Sequence, residues 1–278
     1  MDQIHVQSAV TVAQALSRSG LIPLDARILL GHVLSKDRAW IAAHRDAAVD
    51  VAQLRKFESL SRRRRDGEPV AYLTGRREFY SLELQVDGAV LIPRPETELL
   101  VELALARIAP DSPARILDLG TGCGAVALAI AHERPCATVV GVDVSAAAIA
   151  IARTNAENLG ISNARFVESS WYDAVARERF DTIVANPPYI AADDPHLTEG
   201  DLRFEPRGAL TPGGDGLAAI RILVAGARSH VQHGGWFFTE HGYDQAGAVQ
   251  ALLGAEGFSE VQTRCDLAGQ PRVTFGRL

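Results

Sequence analysis

The run Arg115-Ile116-Leu117-Asp118-Leu119-Gly120-Thr121-Gly122-Cys123-Gly124-Ala125 sets an apolar segment directly against three glycines and an alanine-rich stretch. The apolar segment reads as a buried strand and the stretch after Gly124 as a helix. Glycines between them let the chain turn sharply and bring its backbone close to a ligand at the carboxyl edge of a sheet. Gly120-x-Gly122-x-x-Ala125 also satisfies the dinucleotide fingerprint, so the glycines alone do not choose a cofactor. Asp118 separates the readings. A carboxylate in the same turn disfavours a pyrophosphate on the helix N-terminus, but suits S-adenosyl-L-methionine, which has no phosphate and carries a sulfonium and an ammonium.

Downstream of this run, apolar segments at 138–142, 164–167 and 180–185 alternate with helical stretches ending near 132 and 159. Strand-helix alternation with β-branched strands predicts a Rossmann-like α/β fold, a largely parallel sheet covered on both faces. The tail adds a helix near 215–229, a strand at 236–239, a helix at 243–253, and two strands at 258–264 and 272–277. Only Gly269-Gln270-Pro271 and a few neighbours separate the last two, too little for a crossover helix, so they pair antiparallel. Asp143, 25 residues beyond Asp118, ends the second strand, where an acid takes ribose hydroxyls in either cofactor class. The other reading of Asp143 is a cap for the helix that follows.

Upstream, a helix at 96–109 leads into the core, and 69–95 alternates apolar with polar residues around turns at Gly75 and Asp87-Gly88, which predicts a hairpin linker. Residues 1–68 show three-to-four-residue apolar spacing (Val12, Leu16, Ile28, Leu29, Val33, Leu54, Phe57, Leu60) and read as a small helical domain. The expected domains are thus 1–68, a linker 69–95, and 96–278.

The strand at 180–185 runs into Asn186-Pro187-Pro188-Tyr189. Two prolines make a stiff segment with carbonyl acceptors and no competing N–H donors. The Asn186 side-chain oxygen and the Pro187 carbonyl can together receive both hydrogens of a planar –NH₂ group, with Tyr189 as a flat face against it. Such a nitrogen is a poor nucleophile because its lone pair is delocalised. Two acceptors orient it and stabilise the charge that develops as a methyl group arrives, so no strong general base is required. The glycine loop, Asp143 and this turn converge on one sheet edge.

Composition narrows the partners. The 278 residues carry a net charge of −6, with 26 Arg, 2 Lys and 34 acidic residues, so no global basic field favours nucleic acid. Cys123, Cys136 and Cys265 form no C-x-x-C pair, and the expected compartment is the reducing cytoplasm. No stretch approaches the length of a membrane span, and the start, with Asp2, lacks a basic segment followed by an apolar run.

The core resembles the class I S-adenosylmethionine-dependent methyltransferases acting on planar amino groups: adenine N6, guanine N2 or glutamine amides. Flanking segments distinguish among these. Leu91-Ile92-Pro93-Arg94-Pro95-Glu96-Thr97-Glu98, Glu205-Pro206-Arg207-x-Ala209-Leu210, Asp266-Leu267-Ala268-Gly269-Gln270-x-Arg272-Val273 and the helical segment 24–34 are similar to the HemK/PrmC family of protein-(glutamine-N5) methyltransferases. That resemblance covers nearly the whole chain. It implies a seven-stranded sheet with one antiparallel strand, an N-terminal bundle that recognises substrate, and methylation of the glutamine in the Gly-Gly-Gln motif of class 1 peptide chain release factors, leaving S-adenosyl-L-homocysteine. It further implies that Gly120, Thr121, Gly122, Cys123 and Gly124 wrap the methionine part of the cofactor, that Asp143 holds the ribose and Trp171 lies beside the adenine, and that Asn186, Pro187, Pro188 and Tyr189 grip the glutamine. A nucleic-acid amino methyltransferase remains the alternative. The enzyme is expected to be a monomer without a metal: His230 and His233 lack a third ligand.

Three features stay open in the sequence. Arg62–Arg65 reads as a solvated helix end or as a patch for an acidic or RNA partner. Arg94 with Thr97 reads as a clamp for the methionine carboxylate or as a helix start at Pro95. Trp171 reads as an adenine cover or as an ordinary core tryptophan.

Overall fold

The computed structural model describes residues 10–278, so the part of the N-terminal helical reading at residues 1–9, Asp2 included, lies outside the described residues. The chain divides into two compact units, one ending at Gly75 and the other spanning Arg76–Leu278.

Among the described residues the first unit holds five helices: α1 (Val12–Arg18), α2 (Pro23–Leu34), α3 (Arg38–Ala43), α4 (Val51–Arg65) and α5 (Val70–Thr74). Local sequence sets their ends. Thr11 and Gln14 form a reciprocal capping box at α1, Pro23 opens α2 where its missing N–H costs nothing, and Asp50 accepts from Ala52 N–H at 2.8 Å to start α4. Leu29, Leu30, Ile41, Phe57, Leu60 and Leu73 make its core. The basic run at the end of α4 is largely spent inside this unit. Arg63 pairs with Glu68, Arg64 donates to Asp25 at 2.7 Å, and Arg65 donates to the Ser19 carbonyl.

The second unit opens with a hairpin, β1 (Arg76–Phe79) and β2 (Leu82–Gln85). Its turn is Tyr80-Ser81, both at positive φ, and not Gly75 or Asp87-Gly88. Glu98 and Glu78 carboxylates take the two N–H groups of that turn, at 3.0 and 2.7 Å, and so hold ordinary residues in a conformation usually left to glycine. The expected helix at 96–109 is a 3-10 turn, Pro95–Thr97, followed by α6 (Glu98–Leu105).

Then come β3 (Arg115–Leu119), α7 (Ala125–Glu133), β4 (Thr138–Asp143), α8 (Ala146–Leu159), β5 (Ala164–Glu168), β6 (Phe180–Ala185), α9 (Arg207–Leu210), α10 (Ala218–His230), β7 (Val231–Glu240), α11 (Ala246–Ala255), β8 (Ser259–Cys265) and β9 (Pro271–Arg277). The sheet order is β5-β4-β3-β6-β7-β9-β8. All pairs are parallel except those of β9, which runs antiparallel to both neighbours. This is the seven-stranded sheet that the family resemblance implies, with the parallel core that strand-helix alternation predicts. On one face Leu117, Leu119, Ile183 and Phe237 pack with Ile220, Leu223 and Val224 of α10 and Leu253 of α11. Helices α6, α7 and α8 pack on β3 to β7 from within the same unit, and their buried stripes explain the apolar strand interiors. Among the described residues, no helix is long and apolar enough to cross a membrane.

The switch in strand order lies between β3 and β6, the two strands whose carboxyl ends carry the glycine loop and the Asn-Pro-Pro-Tyr turn. Open α/β sheets bind ligands at such a point.

Candidate active site

Gly120, Gly122 and Gly124 all have positive φ (76°, 55° and 85°), so the loop after β3 coils in a way that side chains resist. A Cβ at Gly122 would meet no atom within 4 Å and would stand in open space. Three side chains hold this coil. Asp143 accepts from Gly122 N–H and Ser145 N–H, both at 2.9 Å; Ser145, not Asp143, caps α8 through Ala148 N–H at 3.2 Å. Asp118, buried behind the loop, accepts from the Thr121 hydroxyl at 2.6 Å and Ala127 N–H at 3.2 Å. Burial pushes its carboxyl up to about 7 against those two donors, with the nearby charge of Asp143 adding to the rise.

The third is Asn155 on α8, which sequence reasoning missed. Its amide donates to the Cys123 carbonyl at 2.9 Å and the Gln85 carbonyl at 3.0 Å, and accepts from Gln85 N–H at 2.7 Å. A lone asparagine on the buried face of an alanine-rich helix was the available signal. The Cys123 thiol itself is buried and pushed up to about 12 by desolvation, so the loop uses the backbone of this residue.

A cavity of about 330 Å³ opens beside the loop, a size suited to a small-molecule ligand. Gly120, Gly122, Asp143, Trp171, Asn186 and Pro188 line it. A smaller one, bounded by Arg94, Thr97, Asp118, Thr121 and Cys123, shares Leu91, Gly120, Gly122 and Asn186 with it. The structure therefore brings together the glycine loop, Asp143, Trp171 and Asn186. Trp171 sits at φ 47°, a strained setting for a bulky residue, fixed by the Ser169 hydroxyl on its carbonyl at 3.1 Å. Its ring covers Gly120, with 3.6 Å between Cζ3 and where a Cβ would stand.

Arg94 and Thr97 both find protein partners. Arg94 pairs with buried Glu205, which also accepts from Ile92 N–H at 3.0 Å, so two segments far apart in sequence close one wall of the site. The Asn186 amide nitrogen donates to the Thr97 hydroxyl oxygen at 3.1 Å. Asn186 lines both cavities. Among the described residues, no hydrogen bond reaches its side-chain oxygen or the Pro187 carbonyl.

Tyr189 follows a different course. Its hydroxyl donates to Glu240 at 3.1 Å, and its carbonyl accepts from Gln245 at 2.9 Å. That carbonyl also lies where a Cβ on Gly216 would be, so glycine at 216 is a condition for the turn. Burial and the Glu240 charge raise the Tyr189 hydroxyl, with Arg272 opposing. Burial likewise lifts Glu240 to about 7, against the Thr97 and Tyr189 hydroxyls and the Arg272 charge. Neither Gly216 nor Glu240 stands within a motif that the sequence reading singled out.

Sequence comparisons bear on a site of this shape. Residues 11–75 match the PrmC N-terminal domain and residues 96–215 the methyltransferase small domain. The structure of a Thermus thermophilus 16S rRNA N2 G1207 methyltransferase, solved with AdoMet and guanosine, is 24% identical with a TM-score of 0.52, over 73% of this chain and 49% of that one, and shares the fold. A release factor glutamine methyltransferase from Xylella fastidiosa (strain Temecula1) is 54% identical over 91% of this chain and 92% of that protein, and one from Burkholderia pseudomallei is 52% identical over 98% and 97%. Agreement of that extent, spanning both the helical unit and the sheet, makes this chain a member of the release factor glutamine methyltransferase family.

Proposed function

We propose that this protein transfers a methyl group from S-adenosyl-L-methionine to the side-chain amide nitrogen (N5) of the glutamine in the Gly-Gly-Gln motif of class 1 peptide chain release factors, as a monomer in the cytoplasm. The observation that carries the proposal is Asn186, which lines the cavity beside the glycine loop and whose amide nitrogen is held by Thr97, while its oxygen and the Pro187 carbonyl have no partner among the described residues.

The residues suit the cofactor. Gly122 leaves open space where a side chain would stand. Asp143 keeps lone pairs beyond its two backbone bonds for the ribose hydroxyls, and the Trp171 ring offers a flat wall for the adenine. Asp118 lies behind the loop and lines the smaller cavity next to it. When bound, S-adenosylmethionine supplies an electrophilic methyl group on a sulfonium.

The chain's own residues do the rest. Asn186 Oδ1 and the Pro187 carbonyl accept the two N–H bonds of the glutamine amide, which fixes the plane of the amide and the direction of its nitrogen. Held at roughly 3 to 3.5 Å from the methyl carbon and in line with it, the nitrogen reacts mainly through orientation. Formation of the C–N bond would break the bond between the methyl group and sulfur, leaving S-adenosyl-L-homocysteine; the nitrogen gains positive charge, both acceptors bind it more tightly, and the proton it then sheds passes to solvent. Pro188 stiffens the turn. The Tyr189 hydroxyl is held by Glu240 and so is not free for the substrate.

The test is methyl transfer from labelled S-adenosylmethionine to purified release factor, to a Gln→Ala variant of its Gly-Gly-Gln loop, and to DNA and ribosomal RNA. Label on the wild-type factor alone is expected. Label on nucleic acid would replace this reading with a base amino methyltransferase.

A further inference from the structure

We propose that Gln245 is a positioning residue for the reaction: its side-chain amide holds the Tyr189 carbonyl and so fixes where the Pro187 carbonyl stands. The inference rests on the reading of Asn186 and Pro187 as acceptors for the substrate amide.

The Asn-Pro-Pro-Tyr turn cannot set its own position. Its two prolines have no N–H to bond back to the sheet, so it is held from outside, at its ends. Asn186 is held by Thr97 at one end, and Tyr189 is held at the other by its hydroxyl on Glu240 and its carbonyl on Gln245. Between the ends the chain is stiff. Both proline φ angles are fixed at about −65°, and Pro187, which precedes a proline, is restricted at ψ as well. A displaced Tyr189 carbonyl therefore displaces the Pro187 carbonyl two residues before it.

Gln245 has one arrangement open to it. Its Nε2 donates to the Tyr189 carbonyl at 2.9 Å, and its Oε1 accepts from Gly242 N–H, also at 2.9 Å. Both partners are backbone groups, one able only to accept and the other only to donate, so the amide cannot flip. Gln245 directly precedes α11, yet its side chain caps none of the N–H groups of that helix. Both of its ends are spent on the two loops. Gly242 makes a firm base for it. The Gly242 carbonyl accepts from Gln245 N–H at 3.0 Å and from His241 Nδ1 at 2.8 Å, and the buried His241 ring meets the Thr274 hydroxyl of β9 at 2.7 Å.

Among the described residues no other hydrogen bond reaches the Tyr189 carbonyl. The space around it is cut to the same fit: a Cβ on Gly216 would overlap that carbonyl oxygen and come within 2.9 Å of Gln245 Nε2. A Gln245 needed only to anchor Gly242 would behave differently from one that positions the turn. Gln245→Glu keeps an oxygen for Gly242 N–H but sets a second oxygen, without a hydrogen, against the Tyr189 carbonyl. Gln245→Met removes both bonds at similar length.

The experiment compares kcat, KM for release factor and Kd for S-adenosyl-L-homocysteine in Gln245→Glu, Gln245→Met, Gly216→Ala and Asn186→Ala, with melting curves to show folding. Gln245→Glu and Gln245→Met are each expected to lower kcat roughly ten- to a hundredfold, the scale of a misplacement of about 1 Å at the reacting groups, with KM within about threefold and the S-adenosyl-L-homocysteine Kd within about twofold. Gly216→Ala, which pushes on the same carbonyl, is expected to act in the same way. A folded Gln245→Glu within about threefold of wild-type kcat would leave Gln245 the anchor of Gly242 alone and overturn the proposal, and so would a loss confined to S-adenosyl-L-homocysteine binding. If Gln245→Glu does not fold, Gln245→Met and Gly216→Ala decide it: wild-type kcat in either refutes the proposal. An unimpaired Asn186→Ala would instead sink the acceptor reading itself, whereas an impaired Asn186→Ala beside a fully active Gln245→Glu would sink this inference alone.

Discussion

The two turns that meet at the site leave adjacent strands in register, with Leu119 of β3 opposite Ala185 of β6, yet they are built by opposite means. The glycine loop after β3 is rich in backbone donors, and buried acceptors hold it from behind: Asp118, Asp143 and Asn155 take its N–H groups or tie down its carbonyl. The Asn-Pro-Pro-Tyr turn after β6 is poor in donors and presents acceptors, and its order comes from the far side of the site, through Thr97, Glu240 and Gln245. The first suits a ligand bearing positive charge and hydroxyls. The second suits an –NH₂ group. Each relies on one buried acid, Asp118 in the first and Glu240 in the second, and each of those acids is raised to about 7 by burial.

The comparison breaks most visibly at Asn186. Asn186→Ala is expected to reduce kcat by about 10² to 10³ while leaving cofactor affinity nearly unchanged, because the acceptor acts on the charge that develops in the transition state. Steady-state kinetics beside a direct binding titration separate the two effects. Asn155→Ala attacks the other turn through its support. It strips partners from the Cys123 carbonyl and from both backbone groups of Gln85, and should cost about 2 to 4 kcal/mol in denaturant unfolding, with weaker cofactor binding. Asp143→Ala should raise cofactor Kd roughly ten- to a hundredfold with smaller change in kcat at saturation; unchanged affinity with lost turnover would reverse the roles assigned to the two turns.

The smallest effect is in pH. Asp118 and Glu240 ionise near 7 in the folded chain and near 4 when unfolded. Between those values the folded state binds more protons, so stability falls as pH rises from about 4 to about 7, by at most about 1.4 kcal/mol per pH unit for each acid. Denaturant midpoints at pH 5 and pH 7.5 should lie closer together in Asp118→Asn, and likewise in Glu240→Gln, than in the wild type.

The same contrast explains what could be read without coordinates. The glycine loop is local. Strand, glycines and helix adjoin in sequence, and Asp143 falls at the end of the next strand, so propensity and spacing were enough. The sheet and its antiparallel β9 were legible for the same reason, from apolar runs and one connection too short for a helix. The Asn-Pro-Pro-Tyr turn was legible as a tetrapeptide, but not its supports. Thr97 is 89 residues from Asn186, and Glu240 is 51 from Tyr189. No periodicity links such positions. Gly216 shows its purpose only once the Tyr189 carbonyl is placed against it. The hairpin turn went to Tyr80-Ser81 in place of the nearby glycines because two glutamates, one of them in the next helix, satisfy its N–H groups.

The most direct test of the central claim is a structure of the enzyme with S-adenosyl-L-homocysteine and a release factor bearing its Gly-Gly-Gln loop. The glutamine amide nitrogen is expected within about 3.2 Å of both Asn186 Oδ1 and the Pro187 carbonyl, with the Asn186 amide nitrogen still on the Thr97 hydroxyl. A glutamine nitrogen bound to the Tyr189 hydroxyl, or an Asn186 that turns its nitrogen to the substrate, would contradict it.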